Sequence, residues 1–299
     1  MRGVWTALVT PFNEQNEIDF HAFRQILKDQ VEAGVSGVIP GGTTGESPTL
    51  TLEEKKLLIQ CAIEELKGSK TLVVAGTGSN NTQASLEFSK WADRQGAHGI
   101  MLVTPYYNKP SQAGLELHFK TIADAVSGEV VLYNVPGRTG VGLTAETIAQ
   151  LAKHPKITAL KEATGNVAFT SEILDHLGLQ NQSLDILSGD DATYLPLLSV
   201  GASGVISVAS NLFPRAMVAI QNAADTGNLR EAQAIHKKYY PLFRDLFIET
   251  NPVPIKHALS KVGLCQSHVR APLVPLAQGN MEKLNQSLLQ CRIKKGTPA

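Results

Sequence analysis

The octapeptide Thr158-Ala-Leu-Lys-Glu-Ala-Thr-Gly165 puts a lysine at the end of a short apolar run and just before a glycine turn. Residues 157–160 read as a buried strand. Lys161 then has its stem held by packing and its amine aimed into whatever cavity lies above the strand end. Burial disfavours an ammonium ion, so an amine placed in this way can be nucleophilic near neutral pH. That is the requirement for Schiff-base chemistry with a carbonyl substrate. The plainer reading is a strand-end lysine that snorkels to solvent. The octapeptide alone favours the plainer reading, because most lysines are surface residues.

Other residues could join Lys161. Gly41-Gly-Thr-Thr-Gly45 is a small-residue turn whose backbone N–H groups can cradle a carboxylate, with the hydroxyls of Thr43 and Thr44 as added donors. It can equally be a tight turn that uses glycine for backbone freedom. It is not a Walker loop, because no Gly-Lys-Ser/Thr follows. Tyr133 closes another apolar run. A phenol there can shuttle protons between an amine and a carbinol oxygen, or be a buried tyrosine satisfied by one backbone bond. Arg138 sits in the Pro/Gly-rich stretch Asn134-Val-Pro-Gly-Arg-Thr-Gly140, where its fork of donors suits a second carboxylate, unless it is simply a surface arginine. Tyr106 and Tyr107 lie between Pro105 and Pro110, and adjacent aromatics on a stiff loop are more often interface or lid residues than core. Asp190 and Asp191 resemble half a metal site, but no histidine is spaced to join them, and such a pair commonly caps a helix.

These residues need elements to hold them. Short apolar runs at 4–9, 35–39, 71–75, 99–103, 129–133, 157–160, 184–187 and 204–208 predict eight strands. Amphipathic segments predict a helix after each, with Asp19, a Thr51/Glu54 capping box and Thr144 marking three of the starts. Eight strand–helix units within residues 1–225 match a (β/α)8 TIM barrel of the α/β class. The near-continuous apolar strands fit a parallel sheet covered by helices. A doubly wound open sheet rarely needs eight regular units. Residues 226–299 carry helical patterning at 229–246, after Asn251-Pro-Val-Pro254, and at 281–291. They are expected to form a C-terminal helical extension. The polar and glycine residues collect after strand ends, the face that bears the active site in such barrels. This placement turns Lys161 toward the functional reading.

Composition narrows the partners. The 27 basic and 27 acidic side chains give a formal net charge of +0 and no basic stripe, which argues against nucleic acid or a membrane surface. No apolar run approaches a membrane span, and the start carries too short an apolar run for a signal peptide. The three cysteines, Cys61, Cys265 and Cys291, lie far apart without ligand spacing, which points to reduced thiols and a cytoplasmic protein. No dinucleotide fingerprint or metal motif appears, so no cofactor is expected.

With these residues in hand, the chain resembles the family of pyruvate-dependent class I aldolases typified by dihydrodipicolinate synthase and N-acetylneuraminate lyase. The motifs are Gly42-Thr-Thr-Gly-Glu46, Thr104-Pro-Tyr-Tyr-Asn108, Tyr133-Asn-Val-Pro-Gly-Arg-Thr-Gly140, Lys161-Glu-Ala-Thr-Gly165, Ser188-Gly-Asp-Asp191, Gly204-Val-Ile-Ser207 and Asn251-Pro-Val-Pro-Ile-Lys256. Their order and spacing, more than any one of them, carry the resemblance. Paired threonines and Arg138 make the synthase branch look closest. The resemblance implies condensation of pyruvate with L-aspartate-4-semialdehyde, the opening step of diaminopimelate and lysine synthesis, in a homo-oligomer, as a tetramer built from two dimers. It also implies the roles. Lys161 forms the imine, Tyr133 moves protons, Thr43 relays them, and Tyr107 reaches in from a neighbouring subunit. Thr44 helps hold the pyruvate carboxylate, Arg138 binds the carboxylate of the aldehyde, and the Ile206 carbonyl lines the pocket. A lyase of the same family acting on a sugar acid or hydroxylated keto acid, and a non-catalytic barrel that only binds ligands, are the other readings.

Overall fold

The computed structural model describes residues 1–293. Eight strands form a closed parallel barrel in chain order: β1 (Gly3–Ala7), β2 (Gly37–Ile39), β3 (Leu72–Gly76), β4 (Gly99–Val103), β5 (Glu129–Asn134), β6 (Ile157–Glu162), β7 (Asp185–Ser188) and β8 (Gly204–Ser207). The strands are buried almost throughout, as an apolar run wrapped by helices must be.

The chain divides into two compact units. One comprises Met1–Gly3 and Val73–Ile206. It holds most of β3 and β8 and all of β4 to β7, with helices α3 (Thr82–Arg94), α4 (Gln112–Asp124), α5 (Pro136–Thr139), α6 (Ala145–Leu151), α7 (Val167–Leu179) and α8 (Tyr194–Ser199). In it α3 packs on α4, α4 on α6 and α6 on α7. The other comprises Val4–Leu72 and the chain from Ser207 onward. It holds β2 and most of β1, with α1 (Phe20–Ala33), α2 (Leu52–Glu65), α9 (Pro214–Asp225), α10 (Leu229–Asp245), α11 (Val253–Val262) and α12 (Gln278–Gln290). There α10 packs between α9 and α12, and α11 also contacts α12.

Side-chain caps start most of the long helices. Asp19 accepts from the Ala22 N–H, Asn81 from Ala84, Ser111 from Gly114, Thr144 from Thr147, Asn166 from Phe169 and Asn228 from Glu231. Thr51 and Glu54 form the reciprocal capping box expected from their spacing. Such caps satisfy orphan N–H groups at the helix starts.

The expected extension is present as α10, α11 and α12; the part beyond residue 293 lies outside the described residues. Several element boundaries shift from the sequence reading: β2 is shorter than residues 35–39, and β6 runs on through Lys161 and Glu162. Two further differences have clear reasons. Helix α12 begins three residues earlier than the apolar pattern implies, because Ala277 starts it without a side-chain cap to mark the place. Residues 136–139, read as loop, close one helical turn, because Pro136 supplies a preset φ at the first position and Gly140 ends it at φ 72°.

Candidate active site

Strand pairing decides what meets Lys161. Strands β5 and β6 run parallel with Tyr133 opposite Lys161 and Asn134 opposite Glu162. Lys161 is buried at 4% exposure and Tyr133 at 5%, and the Lys161 Nζ lies 4.4 Å from the centroid of the Tyr133 ring. A buried amine over the ring of a phenol puts a nucleophile next to a residue whose hydroxyl can exchange protons, the two kinds of group that imine formation uses. The surface reading of Lys161 fails, because the side chain stays inside.

The next pair along the same two strands is also polar. Asn134 is 1% exposed and Glu162 2%. The Asn134 Nδ2 donates to Glu162 Oε2 at 2.8 Å, and the Thr164 N–H donates to Glu162 Oε1 at 2.6 Å. The Asn134 side-chain oxygen, Oδ1, accepts from the Leu143 N–H at 3.0 Å, which ties down both ends of the loop that carries Arg138. Burial pushes the Glu162 carboxyl above the ordinary glutamate range, against the pull of the Thr164 and Asn134 hydrogen bonds. Neither residue is singled out by sequence reasoning. The only signal available was polarity at the last position of two otherwise apolar strands.

Arg138 lies on α5 at the surface. The tyrosine loop is tied to that short helix through Thr139, whose carbonyl accepts from the Tyr107 N–H at 3.4 Å and whose hydroxyl meets the Thr104 hydroxyl at 3.2 Å. Tyr107 has φ 72°, an unusual conformation for a residue with a side chain, and is 90% exposed, whereas Tyr106 is 40% exposed. Backbone strain that presents an aromatic ring to solvent fits a ring with a partner elsewhere. Ile206 is fully buried on β8. Lys161 aligns with Leu187 and Leu187 with Gly204, so Ile206 lies two residues beyond the level of the lysine along its own strand.

Thr43 and Thr44 belong to the other unit, where the turn after β2 is closed by its own backbone: Gly45 N–H to Gly42 O at 3.1 Å and Glu46 N–H to Thr43 O at 3.0 Å. Thr43 is half-buried and Thr44 buried. Two partners missed by the sequence reading hold this turn. The Asn251 Nδ2 donates to Thr44 Oγ1 at 2.9 Å, and the Lys256 Nζ donates to Glu46 Oε1 at 2.6 Å, with both side chains of that ion pair fully buried. Both belong to a motif noted in the sequence, but 207 and 210 residues separate the partners, beyond the reach of any local pattern.

Asp190 serves a turn. Its carboxylate accepts from the Ala192 N–H at 2.8 Å. Among the described residues no group of three or more histidine, cysteine, aspartate or glutamate side chains is arranged to hold a metal ion, and no helix is long and apolar enough to cross a membrane.

Comparison with known proteins places these features in company. The family model described as the dihydrodipicolinate synthetase family matches residues 1–291. A 4-hydroxy-tetrahydrodipicolinate synthase from Leptospira biflexa is 48% identical over 278 residues, which cover 93% of each chain. The crystal structure of dihydrodipicolinate synthase from Aquifex aeolicus superposes with a TM-score of 0.95 at 41% identity and covers 99% of this chain and 100% of its own. A chloride-inhibited dihydrodipicolinate synthase from Acinetobacter baumannii, solved complexed with pyruvate, gives 0.94 at 39% identity, with 98% and 99% covered.

The buried Glu162 predicts a pH signature. A carboxyl whose folded-state pKa is raised favours folding while protonated and loses that advantage as pH rises from the unfolded value, near 4.5, through the raised folded value. Glu162→Gln does not titrate. The stability of the wild type relative to Glu162→Gln is therefore expected to be constant below about pH 4.5 and to fall as pH rises toward neutrality. Denaturant unfolding of both proteins across that range checks it; a difference that grows in favour of the wild type with rising pH would contradict it.

Proposed function

The chain belongs to the dihydrodipicolinate synthetase family, and we propose that it works through a Schiff base on Lys161. It is an aldolase-type lyase that condenses pyruvate with L-aspartate-4-semialdehyde to 4-hydroxy-tetrahydrodipicolinate, in the biosynthesis of diaminopimelate and lysine. The observation that carries the residue assignment is the buried Lys161 amine 4.4 Å from the Tyr133 ring.

The chemistry follows from those two groups. The Lys161 Nζ attacks the C2 carbonyl carbon of pyruvate, and water leaves as the imine forms. The imine is an electron sink, so a proton can be lost from the pyruvate methyl to give an enamine. The enamine carbon attacks the aldehyde and makes the new C–C bond. The amine of the semialdehyde portion then displaces Lys161 at C2, which closes the ring and returns the free lysine. Tyr133 gives and takes the protons that these steps move. Thr43 relays them, Thr44 donates to the pyruvate carboxylate, and the Ile206 carbonyl lines the pocket; these three roles are supported by the family motifs in which the residues stand. Arg138 binds the semialdehyde carboxylate. It sits at the surface beside the tyrosine loop, where an incoming anion would meet it first. The protein is a cytoplasmic enzyme and needs no metal or organic cofactor, since the lysine itself supplies the electron sink.

The smallest active unit is a dimer in which Tyr107 of one subunit completes the site of the other, and dimers pair into a tetramer. The strained, 90% exposed Tyr107 supports this.

Two experiments test the proposal. With pyruvate present, a coupled assay should show turnover of L-aspartate-4-semialdehyde but not of N-acetylmannosamine, and Arg138→Ala should raise KM for the semialdehyde about ten- to a hundredfold while KM for pyruvate stays near wild type. Equal loss for both substrates would remove Arg138 from this role. For assembly, dilution followed by sedimentation and rate measurement should show activity lost as dimers dissociate while the circular dichroism of the barrel persists. A fully active monomer would refute the shared site.

A further inference from the structure

No atom of Asn251-Pro-Val-Pro-Ile-Lys256 has a part in the steps above, yet this segment grips the turn bearing Thr43 and Thr44 at two points. At one end Asn251, 5% exposed, donates its amide to the Thr44 hydroxyl at 2.9 Å. At the other Lys256 meets the Glu46 carboxylate at 2.6 Å, and its ammonium also sits 4.2 Å from the centroid of the Phe12 ring. The second oxygen of Glu46 accepts from the Arg270 N–H at 3.0 Å. Glu46 has φ 57°, a left-handed conformation that a residue with a side chain keeps only when its surroundings over-determine it. The buried carboxylate with its two donors does so. The Thr10 hydroxyl also donates to the Gly45 carbonyl at 2.7 Å, so the turn is held at Thr44, Gly45 and Glu46 in succession.

A turn held in this way leaves one variable, the direction of the Thr44 proton. A hydroxyl carries one proton and two lone pairs, whereas an amide NH2 offers only protons. The Asn251 contact therefore occupies a lone pair of Thr44 and leaves the proton of that hydroxyl to some partner other than Asn251. We propose that Asn251 is a positioning residue of the condensation: by donating to Thr44 it sets that hydroxyl as a donor toward the carboxylate of pyruvate. The inference rests on the carboxylate-binding role given to Thr44 above.

Steady-state kinetics of full-length variants test it. Asn251→Ala should raise KM for pyruvate about tenfold and leave kcat and the semialdehyde KM little changed. Asn251→Asp is the sharper variant, because an ionised aspartate can only accept and would capture the Thr44 proton. Its pyruvate KM should be at least as high as that of Asn251→Ala in alkaline buffer and should fall as pH is lowered and the aspartate gains a proton to donate. A purely structural asparagine would give no such pH profile. A wild-type pyruvate KM for Asn251→Asp in alkaline buffer overturns the inference, as do equal losses for both substrates in Asn251→Ala. Thr44→Val separates this idea from the one beneath it. If that variant raises the pyruvate KM and Asn251→Asp does not, only the role of Asn251 falls. If Thr44→Val leaves the pyruvate KM unchanged, the role of Thr44 falls and the inference with it.

Discussion

The parallel pairing of β5 with β6 is the constraint on which the proposed chemistry depends. It sets Tyr133 opposite Lys161 and brings the amine within 4.4 Å of the phenol ring. A slip of one residue would turn each side chain to the other face of the sheet and put Asn134 or Glu162 where the reactive pair now stands. The apolar residues ahead of the pair hold the register: Val131 faces Ala159 and Leu132 faces Leu160, all of them fully buried. Burying these residues stabilises the fold and, through the same register, aims the amine.

Beyond Tyr133 and Lys161 the strands end in polar groups that are costly to bury without partners. Glu162 takes donors from Asn134 and Thr164, and the Asn134 Oδ1 in turn holds the Leu143 N–H. In the other unit Glu46 takes Lys256 and the Arg270 N–H, while Thr44 takes Asn251. Burial pushes the Lys256 ammonium below the ordinary lysine range even as Glu46 pulls it up. A buried ion pair is weak evidence for stability, because desolvation offsets much of its attraction, but removing one partner leaves a charge stranded. Its use here is geometric, since each of these networks fixes a turn or loop assigned to substrate. The barrel supplies the level of the strand ends, and the polar contacts supply the directions of the donors.

The barrel was legible in the sequence because each of its signals is local. Apolar runs of four to six residues, the Thr51/Glu54 box and the capping residues Asp19 and Thr144 can be read within a few positions of themselves. Lys161, Tyr133 and Arg138 were legible as candidates for the same reason, since each closes or follows such a run. Partners distant in sequence were not legible. Asn251 and Thr44 meet across 207 positions, and Asn134 and Glu162 look like ordinary polar strand ends until the register pairs them. Helix α12 begins three residues before the expected start, and its start lacks the side-chain cap that marks most of the other long helices. That Tyr107 is far more exposed than Tyr106 is likewise a property of three dimensions; the two prolines mark a stiff aromatic loop outside the core but do not rank its rings.

The central claim is that one lysine carries the covalent chemistry, and reductive trapping tests it most directly. Incubation with pyruvate and borohydride, followed by proteolysis and mass spectrometry, is expected to show a reduced pyruvyl group on the peptide that contains Lys161 and on no other lysine. Lys161→Ala should form no adduct while keeping the wild-type circular dichroism. An adduct formed at full rate on another lysine, with Lys161 unlabelled, would contradict the account.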